Sequence, residues 1–176
     1  MKALVLYESM FGNTRKVAEA IGQGLGSLHD VTVMAVADAT PDAVASADLV
    51  VVGGPTHVHG LPRPKSRASA VTMVHKPGTD LVLEPHAQGP GVREWLAGLG
   101  AGSGMAAAFD TRMTMASFLT GRASRRIHRA LRKAGFVMVV PPESFLVDGD
   151  NHLVPGEEER AVTWGQHLIA EYLHAA

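Results

Sequence analysis

An apolar run from Ala3 to Tyr7 breaks off into Glu8–Asn13, and the apolar positions after it recur at helical spacing. Lys16–Leu25 puts Val17, Ala20, Ile21 and Leu25 on one helical face, so the pattern predicts a strand followed by a helix. Val31–Val36 reads as a second strand and Pro41–Ala45 as a short helix. Asp48–Gly53 contains a continuous run, LVVV, that suits a strand covered on both faces, as in a parallel sheet. Further on, Met105–Phe109 reads as a fourth strand, Arg122–Ala134 as a helix, Phe136–Val140 as a fifth strand and Gly156–Leu173 as a closing helix. Five strands alternating with helices imply a three-layer α/β sheet with right-handed crossovers.

The connection between the third and fourth strands departs from this economy. From Gly54 to Gly104 the chain spends far more residues than one crossover helix needs, and Pro62, Pro64, Pro77, Pro85 and Pro90 divide it. Arg63–Val74 and Val92–Leu99 can each form a helix. Lys76–Gly91 looks irregular, and a long ordered loop in a compact domain is often a lid or a contact surface.

Ligands of such a sheet sit outside the carboxyl ends of the strands. Three loops meet there: Glu8–Asn13, Gly54–Leu61 and Asp110–Gly121. At the first, Ser9-Met10-Phe11-Gly12-Asn13-Thr14 joins strand to helix. Unpaired N–H groups and the helix dipole favour an anion at that junction, and Ser9, Asn13 and Thr14 can add donors. No lysine follows Gly12 as in a triphosphate loop, and no G-x-G-x-x-G follows the strand. The expected guest is a single phosphate monoester; an ordinary capped turn is the plainer alternative. In the second loop Gly54-Pro55-Thr56-His57 makes a shaped turn able to present backbone groups to a planar ring. His57 and His59 could stack, donate hydrogen bonds or bind a metal, but no carboxylate or third histidine stands near in sequence to complete a metal site.

The 176 residues suffice for one well-buried core, so one domain over 1–176 is expected, with the extended connection at about 54–104. The absence of cysteine excludes disulfides, thiolate metal sites and thiol catalysis. A net charge of −1 gives no global field toward nucleic acid or membrane, and no apolar run approaches the roughly 20 residues of a bilayer span. The chain enters its first strand without a signal-peptide pattern, so a cytoplasmic location is expected. No nucleophile with a partnered base stands out, and Ser9 lacks a G-x-S-x-G elbow; no catalytic residue is assigned.

The S-M-F-G-N-T loop after the first strand, the G-G-P-T-H loop after the third and the βα order resemble the flavodoxin family over nearly the whole chain. The resemblance implies a flavodoxin-like sandwich with parallel strand order 2-1-3-4-5, flavin mononucleotide (FMN) as cofactor and a role in electron transfer. It puts the FMN phosphate on Ser9, Met10, Phe11, Gly12, Asn13 and Thr14, and the isoalloxazine ring against Pro55, Thr56 and His57. Asp110, Thr111 and Arg112 would lie on the other side. Two uses stay open: a carrier serving a redox partner protein, and a small NAD(P)H-dependent reductase with a small-molecule acceptor. A third reading is a flavodoxin-like binding or regulatory module without flavin, since only His57, His59 and Phe118 offer stacking in the second and third loops.

Two clusters bear on partners. Arg63, Lys65 and Arg67 follow the ring loop and could meet the phosphate of a nicotinamide cofactor or an acidic substrate, or simply begin a solvated helix. On Arg122–Ala134 the stripe Arg122, Arg125, Arg126, Arg129, Arg132 and Lys133 lies opposite Ala123, Ile127, Ala130, Leu131 and Ala134; it reads as a solvated face or as a surface for an acidic partner. The apolar segment Met113–Leu119 could roof the ring, meet a second subunit in a homodimer, or bury itself in its own domain.

Overall fold

Along β1 (Lys2–Tyr7), Ala3 and Val5 belong to one hydrophobic cluster and Leu4 and Leu6 to another, so the period-two alternation sends consecutive side chains to opposite faces of a sheet. The computed structural model describes residues 1–26, 30–57, 60–115 and 121–175. Within them β1 is followed by α1 (Asn13–Gly24), β2 (Asp30–Ala35), α2 (Pro41–Ala45) and β3 (Leu49–Pro55). The long connection carries α3 (Pro64–Val74) and α4 (Val92–Gly98), with Lys76–Gly91 irregular between them. Then come β4 (Met105–Met113), α5 (Ala123–Ala134), β5 (Val137–Met138), β6 (Glu143–Val147) and α6 (Glu157–Ala175). The strands form one parallel sheet of order β2-β1-β3-β4-β5, with β6 also paired to β4.

Helices cover both faces. On one, α1 and α6 bury Val17, Ile21, Leu25, Trp164 and Leu168 against Val5, Val51 and Phe109. Phe109, Phe145 and Trp164 meet edge to face with ring centroids 6.1–6.3 Å apart. On the other, α2, α4 and α5 bury Val44, Val92, Ile127 and Leu131 against Leu6, Val52 and Ala108. Residues 49–52 are wholly buried, which is why that strand reads as an unbroken apolar run. No helix among the described residues is long and apolar enough to cross a membrane.

The fifth strand position differs from the sequence expectation. Instead of one strand over Phe136–Val140, the two-residue β5 pairs with Met105 and Ala106, and β6 resumes the pairing along Phe109–Met113. Pro141 and Pro142 stand between them, and neither can donate to a ladder. Because β6 pairs so far along β4, that strand runs four residues past its expected end. Asp110, Thr111 and Arg112 are therefore strand residues and not loop residues.

A buried ionic tie fastens the long connection to the sheet. Glu8, directly after β1, accepts the Val92 N–H at 2.8 Å and pairs with Arg67 at 3.1 Å; Arg67 also reaches Glu94 at 2.7 Å. Glu94 in turn accepts the Gly91 N–H at 3.0 Å. Burial raises the Glu8 carboxyl above its usual range, outweighing the lowering by the Val92 N–H and the Arg67 guanidinium. A second clasp lies nearby: the Glu84 N–H donates to the Met10 carbonyl at 2.9 Å while its carboxylate holds Arg15 at 3.0 Å. Above that contact Met10, Ala70 and Ala87 bury one another.

Arg67→Met strands the buried Glu8 carboxylate, and urea unfolding should show a loss of about 3–5 kcal/mol. Adding Glu8→Gln should recover much of it; a single variant within about 1 kcal/mol of the parent would show that the tie is not a stabilising constraint.

Candidate functional site

The turn from β1 to α1 is shaped by Gly12, which takes φ +91° and donates its N–H to Ser9 Oγ at 3.0 Å. A side chain at this position would be strained by the backbone alone, and its Cβ would stand 3.3 Å from Glu84 Oε1. Beyond the turn, the N–H groups of Phe11, Asn13, Thr14 and Arg15 meet no acceptor among the described residues, and α1 has no acidic residue in its first turn. A bare helix N-terminus of this form is an anion site. The hydroxyls are arranged to help. Ser9 accepts from Gly12 and so keeps its own hydrogen for another acceptor. Thr14 Oγ1 and Thr111 Oγ1 lie 2.8 Å apart; whichever donates, the other retains a free hydrogen.

A cleft opens above this turn. Of the residues expected at the phosphate and the ring, Ser9, Met10, Phe11, Asn13, Thr14, Pro55, Thr56, His57, Thr111 and Arg112 line it together. Gly12 contributes its backbone shape beneath them. Asp110 does not reach the cleft: it is wholly buried, and its Oδ2 accepts the Ser124 N–H at 2.8 Å and the Thr56 hydroxyl at 3.1 Å. Thr56 Oγ1 also accepts the Ala123 N–H at 2.8 Å. These two side chains fix the start of α5 to the ends of β3 and β4, a positioning role imposed by the extension of β4.

The cleft has further walls that the sequence reading did not assign: Met73 of α3, Met113 of β4, and Val147, Asp148, Gly149 and Asn151 after β6. The last group arrives because Asp148 Oδ1 accepts the N–H groups of Asp150 and His152, closing a tight turn with Asn151 at φ 66°. The Asn13 amide donates to the Asn151 carbonyl at 2.6 Å, joining that turn to the head of α1. Asp-Gly-Asp-Asn at 148–151 signals such a turn, but only a strand at Glu143–Val147 brings it to the site.

Among the described residues, three buried polar atoms of this lining have no hydrogen-bond partner: His57 Nδ1, Arg112 Nε and Asn151 Nδ2. Buried polar groups rarely stay unpaired in a native fold, so such a concentration in one cleft suits a ligand with several polar atoms. The His57 backbone closes a turn with Gly60, N to O at 2.7 Å and 3.2 Å in return. Its imidazole is held below the ordinary histidine range by burial and is therefore neutral at pH 7. Arg112 folds along the third loop, donating to the carbonyls of Met113 and Met115. His59, Phe118 and most of Met113–Leu119 lie outside the described residues. Arg67 is set apart from Arg63 and Lys65: it is buried and spent on Glu8 and Glu94, while the other two are exposed. Arg122 likewise leaves the basic stripe, donating to Ser144 Oγ and the Pro142 carbonyl.

The model of the family described as flavodoxin matches residues 5–164. The chain belongs to the flavodoxin family. A flavodoxin of Aquifex aeolicus (strain VF5) is 41% identical over 59 residues, covering 32% of each chain; the match thus spans about a third of that relative's length. Among solved structures, a flavodoxin from the domain Archaea superposes with TM-score 0.67 at 22% identity, covering 99% of this chain and 100% of that one. Oxidised Flavodoxin 1 from Bacillus cereus gives 0.64 at 16%, covering 100% and 99%. These likenesses carry the fold. Flavin mononucleotide, the ligand that membership of this family implies, fits the groups present among the described residues: bare N–H donors and free hydroxyls at the turn, and unpaired polar atoms along the cleft.

The lowered His57 value sets a pH dependence. The unfolded chain takes up this proton near pH 6.5, before the folded protein does, so stability falls as pH drops from about 7 toward the folded value and falls no further below it. Unfolding at pH 7.5 and 5.5 should therefore show a smaller acid loss in His57→Gln than in the parent; equal losses would place the slope elsewhere.

Proposed function

We propose that this protein binds FMN in the cleft over the Ser9–Thr14 turn and transfers electrons through it. The observation that carries the reading is the head of α1, where four unpaired N–H groups and spare hydroxyl hydrogens converge around the positive-φ Gly12. When bound, FMN supplies one- and two-electron chemistry at its ring. The protein's part is binding, orientation and access. The N–H groups of Phe11, Asn13, Thr14 and Arg15, with Ser9 and Thr14, hold a dianionic phosphate without a metal. Pro55, Thr56 and His57 border the ring on one side, and Thr111 and Arg112 on the other. Neutral His57 leaves the cleft with one fewer positive charge, and Met73 and Met113 limit water at its mouth.

With Phe11 and His57 as its only described aromatic rings, the cleft places a large share of the affinity on the phosphate. Fluorescence titration should show riboflavin binding much more weakly than FMN. Ser9→Ala with Thr14→Ala should weaken FMN by several kcal/mol at most, at roughly 1.5–3 kcal/mol per charge-assisted hydrogen bond. Equal affinity for the two flavins, or an unaffected double variant, would place the phosphate elsewhere.

Within this reading, the self-sufficient NAD(P)H-dependent reductase is favoured over the carrier. The net charge of −1 offers no strong field for steering a charged redox partner, and exposed arginines gather beside His57 at the ring border. Rapid mixing of the FMN-loaded protein with reduced nicotinamide cofactors should bleach the flavin. No bleaching, together with rapid salt-dependent reduction by a separate reductase, would decide for the carrier.

A further inference from the structure

Behind the ring loop lies a second cavity of about 430 Å³ that shares His57 with the flavin cleft. Arg63 and Lys65 at the head of α3, Arg93 of α4 and Arg126 of α5 line it, and among the described residues no acidic side chain does. Three arginines elsewhere are spent on carboxylates: Arg15 on Glu19 and Glu84, Arg67 on Glu8 and Glu94, Arg160 on Glu143 and Glu157. Among the described residues, Arg63, Arg93 and Arg126 have no ion-pair partner.

Their placement is not that of a loose solvated fringe. Arg93 Nε donates to the Pro62 carbonyl at 2.9 Å and its Nη2 to the Leu61 carbonyl at 2.5 Å, which fixes the guanidinium and leaves Nη1 for another acceptor. Arg126 lies against Gly60, whose missing Cβ would stand 3.0 Å from the guanidinium carbon. Burial, with the charges of Arg63 and Arg126, holds Arg93 below the usual arginine range. Three like charges drawn together from separate elements repel one another until an anion joins them. Guanidinium forks suit phosphate oxygens, and the volume falls within the roughly 300–1,000 Å³ of small-molecule sites.

We propose that this cavity holds the phosphates of a nicotinamide dinucleotide whose other end reaches the flavin cleft past His57. The inference rests on the reductase reading and adds the place and the residues by which the donor is held.

The test is calorimetric titration at low salt with NADP+, NAD+ and inorganic pyrophosphate, on the protein with and without FMN. The oxidised dinucleotides do not reduce flavin, so binding alone is read. Arg63→Ala with Arg126→Ala, both surface changes, should weaken the dinucleotide on the order of tenfold or more per arginine while leaving FMN affinity unchanged. Affinity should also fall with added salt. Unaltered affinity in the double variant, absence of saturable dinucleotide binding, or binding of pyrophosphate with neither dinucleotide would overturn the proposal. Arginine-dependent dinucleotide binding by a protein that takes no FMN would support the cavity and refute the flavin reading. FMN binding without it would refute the cavity only.

Discussion

The Glu8 carboxylate, buried at the carboxyl end of β1, is the constraint on which the geometry of the site depends. It stands directly before the Ser9–Thr14 turn, and its two oxygens are divided between the Arg67 guanidinium of α3 and the Val92 N–H that opens α4. Both helices of the long connection are thereby tied to the end of β1, next to Ser9. Gly91 is part of the same arrangement: a Cβ there would stand 2.3–2.5 Å from the carboxylate, so the backbone can approach only because the side chain is absent. A buried ion pair seldom adds net stability over an apolar packing of equal volume. What this one supplies is position, since it holds α3, and with it Met73 and the exposed Arg63, beside the cleft.

From that fixed edge the site follows in layers. Gly12 turns the chain so that the head of α1 faces outward with its N–H groups bare, and Asp110 with Thr56 fixes the start of α5 beside the ring border. Neither acidic residue contacts the cleft. Both are buried, and their acceptor oxygens hold the surrounding backbone in place. The cations are sorted in a similar way, with Arg67 buried in the scaffold and Arg63, Arg93 and Arg126 left for the second cavity.

The strand and helix order was legible because each element carries its own period: the buried LVVV of β3, the alternating β1 and the one-sided α1 announce themselves locally. The junction of β1 and α1 was legible for the same reason, since Ser9–Thr14 is contiguous. The split fifth strand was not. Pro141 and Pro142 break the run at the point where the ladder pauses, and only pairing with β4 shows that β6 continues the same position. That pairing carries Asp110 from an expected loop into the core and brings Asn151 to the cleft. The role of Arg67 was hidden too, because nothing local separates it from Arg63 and Lys65; its partner Glu8 is 59 residues away in sequence. Contacts of such range leave no periodic trace.

The central claim is that the head of α1 holds the phosphate of FMN. Amide NMR during titration with FMN tests it most directly, because a hydrogen bond to a dianion moves an N–H resonance downfield. The account predicts large downfield shifts of the amide protons of Phe11, Asn13, Thr14 and Arg15 with FMN, and much smaller ones with riboflavin. Amides of this turn that stay in place while FMN binds, or that move equally with both flavins, would contradict it.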